Sequence, residues 1–256
     1  MKEPQKIKLV GGLKYNFYFT LLVSLSLVKF CYSSQILDYE TEIFVDKLIN
    51  DIKFVNKTNK NINFKIISDE NINAFVDIRN TIFITSGLIE HCDDYVAFLS
   101  VLAHEIGHID RNHVLLRKKT ISKLSDYKNI STLSIIAGSM MSRNPLLMQS
   151  MALSSATASN LYLGFSKEQE IEADYYSLET ITKLNVYSQS IIDLLKRIEK
   201  KSLEKGLDRE QQKLGTHPYF EDRIKTINLF NENKKINFDK IYNDEYNFIK
   251  AKFLGY

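Results

Sequence analysis

His104 and His108, one helical turn apart with Glu105 between them in Leu102-Ala-His-Glu-Ile-Gly-His108, are the residues of this chain whose types and spacing most directly imply chemistry. On a helix, positions i and i+4 lie about 40° apart on one face. Both imidazoles can therefore hold one zinc ion while the glutamate between them reaches a water on that ion. The chemistry is hydrolysis, in which zinc acidifies the water and the carboxylate moves its proton. The preceding run, Tyr95-Val-Ala-Phe-Leu-Ser-Val-Leu-Ala103, is too apolar for a surface helix. The polar cluster is thus expected in the interior, where it needs partners.

Two histidines and a water leave a catalytic zinc one protein ligand short. Ser166-Lys-Glu-Gln169 has the spacing of a capping box and opens Glu168-Gln-Glu-Ile-Glu-Ala-Asp-Tyr-Tyr176, which puts Glu170 and Asp174 one turn apart on a helix face. That spacing suits a ligand with its supporting carboxylate, and it equally suits a Glu-rich surface helix. His217 precedes Pro218, a residue suited to a first helical turn, so it stands at a helix entrance. There it could contact a tetrahedral intermediate, fill the fourth zinc position, or simply cap the helix. Arg223 could pair with a cleft carboxylate or serve a structural ion pair. His113 reads as a solvated or hydrogen-bonded histidine rather than a ligand, and His91 shows no partner in the sequence.

The elements that must position these residues follow from hydrophobic period. Ile36, Tyr39, Ile43, Leu48, Ile52 and Val55 recur at three- to five-residue steps and predict an amphipathic helix. Ile62, Phe64 and Ile66 alternate with polar residues as on a strand. Asn73-Ala-Phe-Val-Asp-Ile78 and Thr81-Ile-Phe-Ile-Thr85 are two further β-prone runs joined by Arg79-Asn80, and the whole stretch predicts a small antiparallel sheet. Ile82, Phe83 and Ile84 are the expected edge strand to which an extended substrate would add through main-chain bonds. After Ser86-Gly87 the period is helical, with Asp93 or Asp94 as cap of the motif helix. The fold class is α+β, mostly helical, with the site on the motif helix facing a second helix. No repeat or Pro- or Ser-rich linker divides residues 34–256, which read as one domain.

Lys2, Lys6, Lys8 and Lys14 precede an apolar run at residues 15–28, and Cys31-Tyr-Ser33 offers small residues at a cleavage spacing. Residues 1–33 are expected to be a secretory signal peptide. The alternative is an uncleaved anchor, although the run is shorter than a spanning helix needs. Five of the 34 basic residues (Lys2, Lys6, Lys8, Lys14, Lys29) and one of the 31 acidic ones (Glu3) fall there, leaving 29 against 30. Nucleic acid is therefore not an expected partner. Cleavage would also leave Cys92 as the lone thiol and exclude an internal disulfide. Residues 129–165, rich in Ser, Ala, Met and Leu, are interrupted by Arg143-Asn-Pro145 and predict two core helices covering the site rather than membrane spans.

Asn73-Ala-Phe75, Ser86-Gly-Leu88, Leu102-Ala-His-Glu-Ile-Gly-His108, Glu170-Ile-Glu-Ala-Asp174, Thr216-His-Pro218 and Arg223 together resemble, in order and spacing, the gluzincin metallopeptidases typified by HtpX and the CAAX prenyl proteases. The resemblance covers roughly residues 36–230 and implies a zincin-like fold. It implies that His104, His108 and Glu170 bind one zinc per chain, that Glu105 is the general base, and that Asp174 supports the ligands. The longer metzincin pattern is absent, because Arg111 and Val114 stand where it needs Gly and His. Val76-Asp-Ile-Arg-Asn80 departs from the small residues and glycine usual in related sequences. The function expected is a zinc metalloendopeptidase that hydrolyses unfolded or damaged cell-envelope proteins, exported to a bacterial periplasm or anchored to the membrane by residues 15–28. The alternative is an envelope chaperone or assembly factor whose zinc is structural or blocked.

Overall fold

The structure, a computed structural model, describes residues 35–117, 119, 165–204, 206, 217, 220–231 and 235–254. The expected export segment and nearly all of the Met-rich stretch at 129–165 lie outside the described residues. Among the described residues no helix is long and apolar enough to cross a membrane.

Strand β1 (Gln35–Ile36) leads into helix α1 (Tyr39–Asn56). The Asp38 side chain accepts from the Thr41 amide at 2.9 Å, Glu40 and Glu42 occupy the first turn, and Lys57 closes the helix in the left-handed region. The helix is where the period puts it, but its buried face is Phe44, Val45, Leu48, Ile49 and Ile52, while Tyr39 and Ile43 are exposed. Two adjacent apolar pairs, one turn apart, define a broader buried stripe than the sparse series read from the sequence.

Strands β2 (Asn63–Ile67), β3 (Ala74–Val76) and β4 (Thr81–Thr85) complete a four-stranded sheet of order β1-β2-β4-β3. The predicted hairpin is present, with Ala74 opposite Ile84 and Val76 opposite Ile82. The sheet is mixed, however, because β2 runs parallel to β4, with Phe64 opposite Ile82. Alternation sets which face is buried and says nothing about direction; residues 68–73 carry the chain past the sheet, and β4 inserts between its two predecessors. Thr81, Ile82, Ile84 and Thr85 are all buried, as befits a central strand covered on both faces. The assignment of Ile82, Phe83 and Ile84 to the substrate edge is therefore incorrect: β4 is bonded on both sides, and among the described strands the edge next to it is β3. In the turn between them, Asp77 accepts from the amides of Arg79 and Thr81 at 2.8 and 2.9 Å, and Asn80 takes a left-handed φ of 58°. Asp77 and Asn80 thus form this turn without a glycine.

Helix α2 (Ser86–His91) is capped by Thr85, whose hydroxyl accepts from the Leu88 amide. Gly87 lies so close to the preceding loop that a Cβ would sit 2.3 Å from the Glu70 carbonyl oxygen. Gly87→Ala must move backbone, so thermal or urea unfolding should register a loss of about 1–3 kcal/mol; unchanged stability would show that this approach is not tight.

Helix α3 (Tyr95–Asp110) carries the motif and is buried along nearly its whole length, capped by Asp94 through the Ala97 amide at 2.9 Å. Helices α4 (Lys167–Lys183), α5 (Ser190–Glu204), α6 (Phe220–Asn231) and α7 (Lys240–Phe253) surround it. Tyr246 of α7 packs on Phe98 with ring centroids 5.4 Å apart and donates its hydroxyl to the Ile89 carbonyl. Cys92 is buried beside it, and burial pushes its thiol pKa up, so it behaves as a packing residue.

Candidate metal centre

The centre is built where α3 and α4 meet. Gly107 of α3 faces Ala173 and Tyr176 of α4, and a Cβ there would lie 3.1 to 3.2 Å from them. Small residues on both sides let the backbones approach closely, which brings the His104/His108 face of α3 against the Glu170/Asp174 face of α4. The Ser177 hydroxyl donates to the Ser100 carbonyl at 2.8 Å and ties the two helices one turn farther along. The capping box read from the sequence is formed, with Ser166 and Gln169 bonding each other's amides, so α4 starts just before Glu170.

Four side chains converge. The His104 Nε2 lies 3.1 Å from the His108 Nε2, 3.3 Å from the His217 Nδ1 and 3.5 Å from a Glu170 oxygen. The other Glu170 oxygen is 3.5 Å from the His108 Nε2 and 3.2 Å from the His217 Nδ1. One ligand atom from each residue falls within 4.8 Å of all the others. Metal–ligand bonds of about 2.0–2.1 Å in a tetrahedron would set ligand atoms about 3.3 Å apart. His104, His108 and Glu170 are fully or almost fully buried, and Glu170 and Glu105 each keep one buried carboxylate oxygen without a hydrogen bond. Two imidazoles, a third at the rim and two under-satisfied carboxylates fit a divalent cation, and the donor set is one that zinc accepts.

The electrostatics favour positive charge at this point. Burial opposes ionisation of Glu170, yet His217, Arg223 and the two motif histidines beside it hold its carboxyl well below the usual range. For His104, burial and Arg223 work against protonation, but Asp174 and Glu170 outweigh them and raise its pKa to about 9. Burial depresses His108 well below an ordinary imidazole. Asp174 accepts from the His104 Nδ1 at 2.8 Å and takes a two-point bond from Arg223, Nε at 2.9 Å and Nη2 at 2.8 Å. Arg223 also lies 3.3 Å from Glu170. Burial would raise the Asp174 pKa, but Arg223 and His104 bring it below its ordinary value. Of the two roles left open for Arg223, a cleft partner or a structural ion pair, the structure pairs it with two cleft carboxylates, Asp174 and Glu170.

Glu105 stands apart from the converging atoms. It is buried, one oxygen lies 3.2 Å from the His217 Nε2, and burial raises its pKa despite His217 and His104. His217 reaches the cage through Nδ1, while its Nε2 donates to the Ala74 carbonyl at 3.2 Å. That carbonyl belongs to the side of β3 turned away from β4: Asn73 and Asp77 bond toward β4, so Ala74 and Val76 present their main-chain groups away from it. The edge strand and the cage are therefore adjacent.

Two neighbours of the cage were not given this role by sequence reasoning. Phe165 stacks on the His108 ring with centroids 3.7 Å apart. His113 meets the His108 Nδ1 at 3.0 Å. The only advance signal for the latter was Asn112, a residue that tolerates the left-handed turn which folds His113 back.

Residues 40–229 match the family described as Peptidase family M48. Among curated relatives, the chain is 24% identical over 193 residues to the "Beta-barrel assembly-enhancing protease" of Yersinia pestis, covering 75% of this chain and 39% of that one. It is 24% identical over 166 residues to "Metalloprotease YcaL" and 26% identical over 171 residues to "Metalloprotease LoiP", both of Escherichia coli strain K12, covering 65% of this chain and 61% of each relative.

Proposed function

The chain belongs to peptidase family M48, and from that premise we propose that it is a zinc-dependent metalloendopeptidase acting on unfolded or damaged proteins of the cell envelope. The observation that carries the reading is the convergence of His104, His108 and Glu170 around one point, with the Glu105 carboxylate beside that point and outside the ligand set. The envelope setting is supported by the name of the Yersinia pestis relative and by the export signal read in residues 1–33.

His104, His108 and Glu170 would hold the ion, with Asp174 and Arg223 holding His104 and Glu170 in place. When bound, zinc lowers the pKa of a water to about 7 and polarises a carbonyl. Glu105 accepts the proton of the attacking water and delivers it to the departing amine, a task suited by a carboxyl whose pKa burial raises above its ordinary value. The main-chain groups that Ala74 and Val76 turn away from β4 hold the substrate extended, which asks little of its sequence. His217 gives up the Ala74 carbonyl to the substrate strand and turns its ring N–H toward the oxygen on which charge develops.

Casein hydrolysis should be lost on dialysis against a chelator and restored by about one zinc per chain. Hydrolysis that persists in metal-free protein would refute the reading. His217 among the converging atoms favours a second reading, because four protein ligands make a closed site of the structural kind. A chaperone with such a blocked centre would suppress aggregation of unfolded protein, equally well as Glu105→Gln, and cleave nothing.

A further inference from the structure

The proposed ligand His108 has its second ring nitrogen engaged by a pair of residues from two different segments. Helix α3 ends at Asp110, and Asn112 turns the chain back with a φ of 59°. Lys60 braces this turn by donating to the Ile109 carbonyl and the Asn112 side chain. The turn delivers His113, itself buried, so that its Nδ1 lies 3.0 Å from the His108 Nδ1. On its far side the His113 Nε2 lies 3.1 Å from an oxygen of Glu172, on α4. Phe165 covers the face of the His108 ring.

A bond between two Nδ1 atoms admits two proton arrangements, and they have opposite consequences at the cage. With the proton on the His108 Nδ1, its Nε2 carries a lone pair directed at Glu170 and His104, as a metal ligand requires. With the proton on the His113 Nδ1, a neutral His108 carries its hydrogen on Nε2 and cannot coordinate. Glu172 removes the ambiguity. A carboxylate only accepts, so it holds a hydrogen on the His113 Nε2, which in the neutral ring leaves the His113 Nδ1 as acceptor. We infer that His113, oriented by Glu172, is a positioning residue that fixes the tautomer of His108 and presents its Nε2 to the metal. The inference rests on the metal-centre reading above.

The test uses the full chain in two measurements. Ring nitrogen shifts of the metal-free protein should show His108 protonated at Nδ1 and bare at Nε2. Zinc affinity, by competition with a chromophoric chelator, should fall about 10- to 100-fold in His113→Ala, the usual cost of losing such a partner. His113→Asn should bind within a few-fold of wild type, since its side-chain oxygen occupies the place of Nδ1 and can accept. Glu172→Lys, at an exposed position that spares the core, supplies a donor where an acceptor stood; it should move the His108 proton to Nε2 and weaken zinc comparably. His108 protonated at Nε2 in the wild type, wild-type affinity in His113→Ala or Glu172→Lys, or equal losses in the Ala and Asn variants would each overturn the inference. If the wild type binds no zinc, the metal-centre reading fails, while the ring nitrogen shifts still judge the tautomer.

Discussion

Glu105→Gln is expected to leave a folded chain that still carries zinc while peptide hydrolysis falls by about 10²- to 10⁴-fold, the usual contribution of a positioned general base. The substitution keeps the shape of a side chain that is almost fully buried and removes only its capacity to carry a proton. The metal should survive because Glu105 is not among the four residues whose donor atoms converge. The fold should survive too: one Glu105 oxygen has no hydrogen bond to lose, and the other faces His217, which an amide oxygen can still meet. Zinc content by metal analysis and casein cleavage on the same preparation decide the matter. Undiminished cleavage would remove Glu105 from the reaction, and loss of zinc would make it a ligand rather than a base.

What could be read in advance follows the range of the interactions. The motif helix, its Asp94 cap, the Ser166 capping box and the β3–β4 hairpin are encoded within a few residues, and each is formed. Glu170 and Asp174 lie some sixty residues from the motif and were bare helix spacing until a family resemblance joined them to it; the packing of Gly107 against Ala173 supplies the physical link. The strand order was not legible, because neither the alternation of Phe64-Lys-Ile66 nor the unbroken apolar run Ile82-Phe-Ile84 fixes whether two strands run parallel or antiparallel. The edge role consequently went to β4, whose double-sided burial belongs to an interior strand. The place of His113 depended on one left-handed residue, Asn112, and on a carboxylate from another helix, neither of which a helical period reveals. Family membership covers residues 40–229, and the chain spans from 33% of the length of one curated relative to 61% of others.

Glu170→Gln should abolish stoichiometric zinc binding, with an affinity loss exceeding the roughly 10- to 100-fold that removal of an outer partner costs. Glu170 supplies the carboxylate that faces the Nε2 atoms of both motif histidines, its two oxygens lying 3.5 Å from them. An amide of the same shape offers one neutral oxygen in its place, and its NH₂ would face either a ring nitrogen or Arg223. Metal-free stability should change far less than metal affinity, for an electrostatic reason. Arg223 is buried, and an uncompensated buried charge costs about 3–5 kcal/mol. Its two-point bond to Asp174 does not involve Glu170, so the guanidinium stays paired in the variant. Chemical unfolding of the metal-free proteins, set beside zinc competition, separates the two effects. A variant that binds zinc as wild type would place the third ligand elsewhere. A variant that loses metal only because it unfolds would show that Glu170 acts through Arg223 and the α4–α6 contact rather than at the cation.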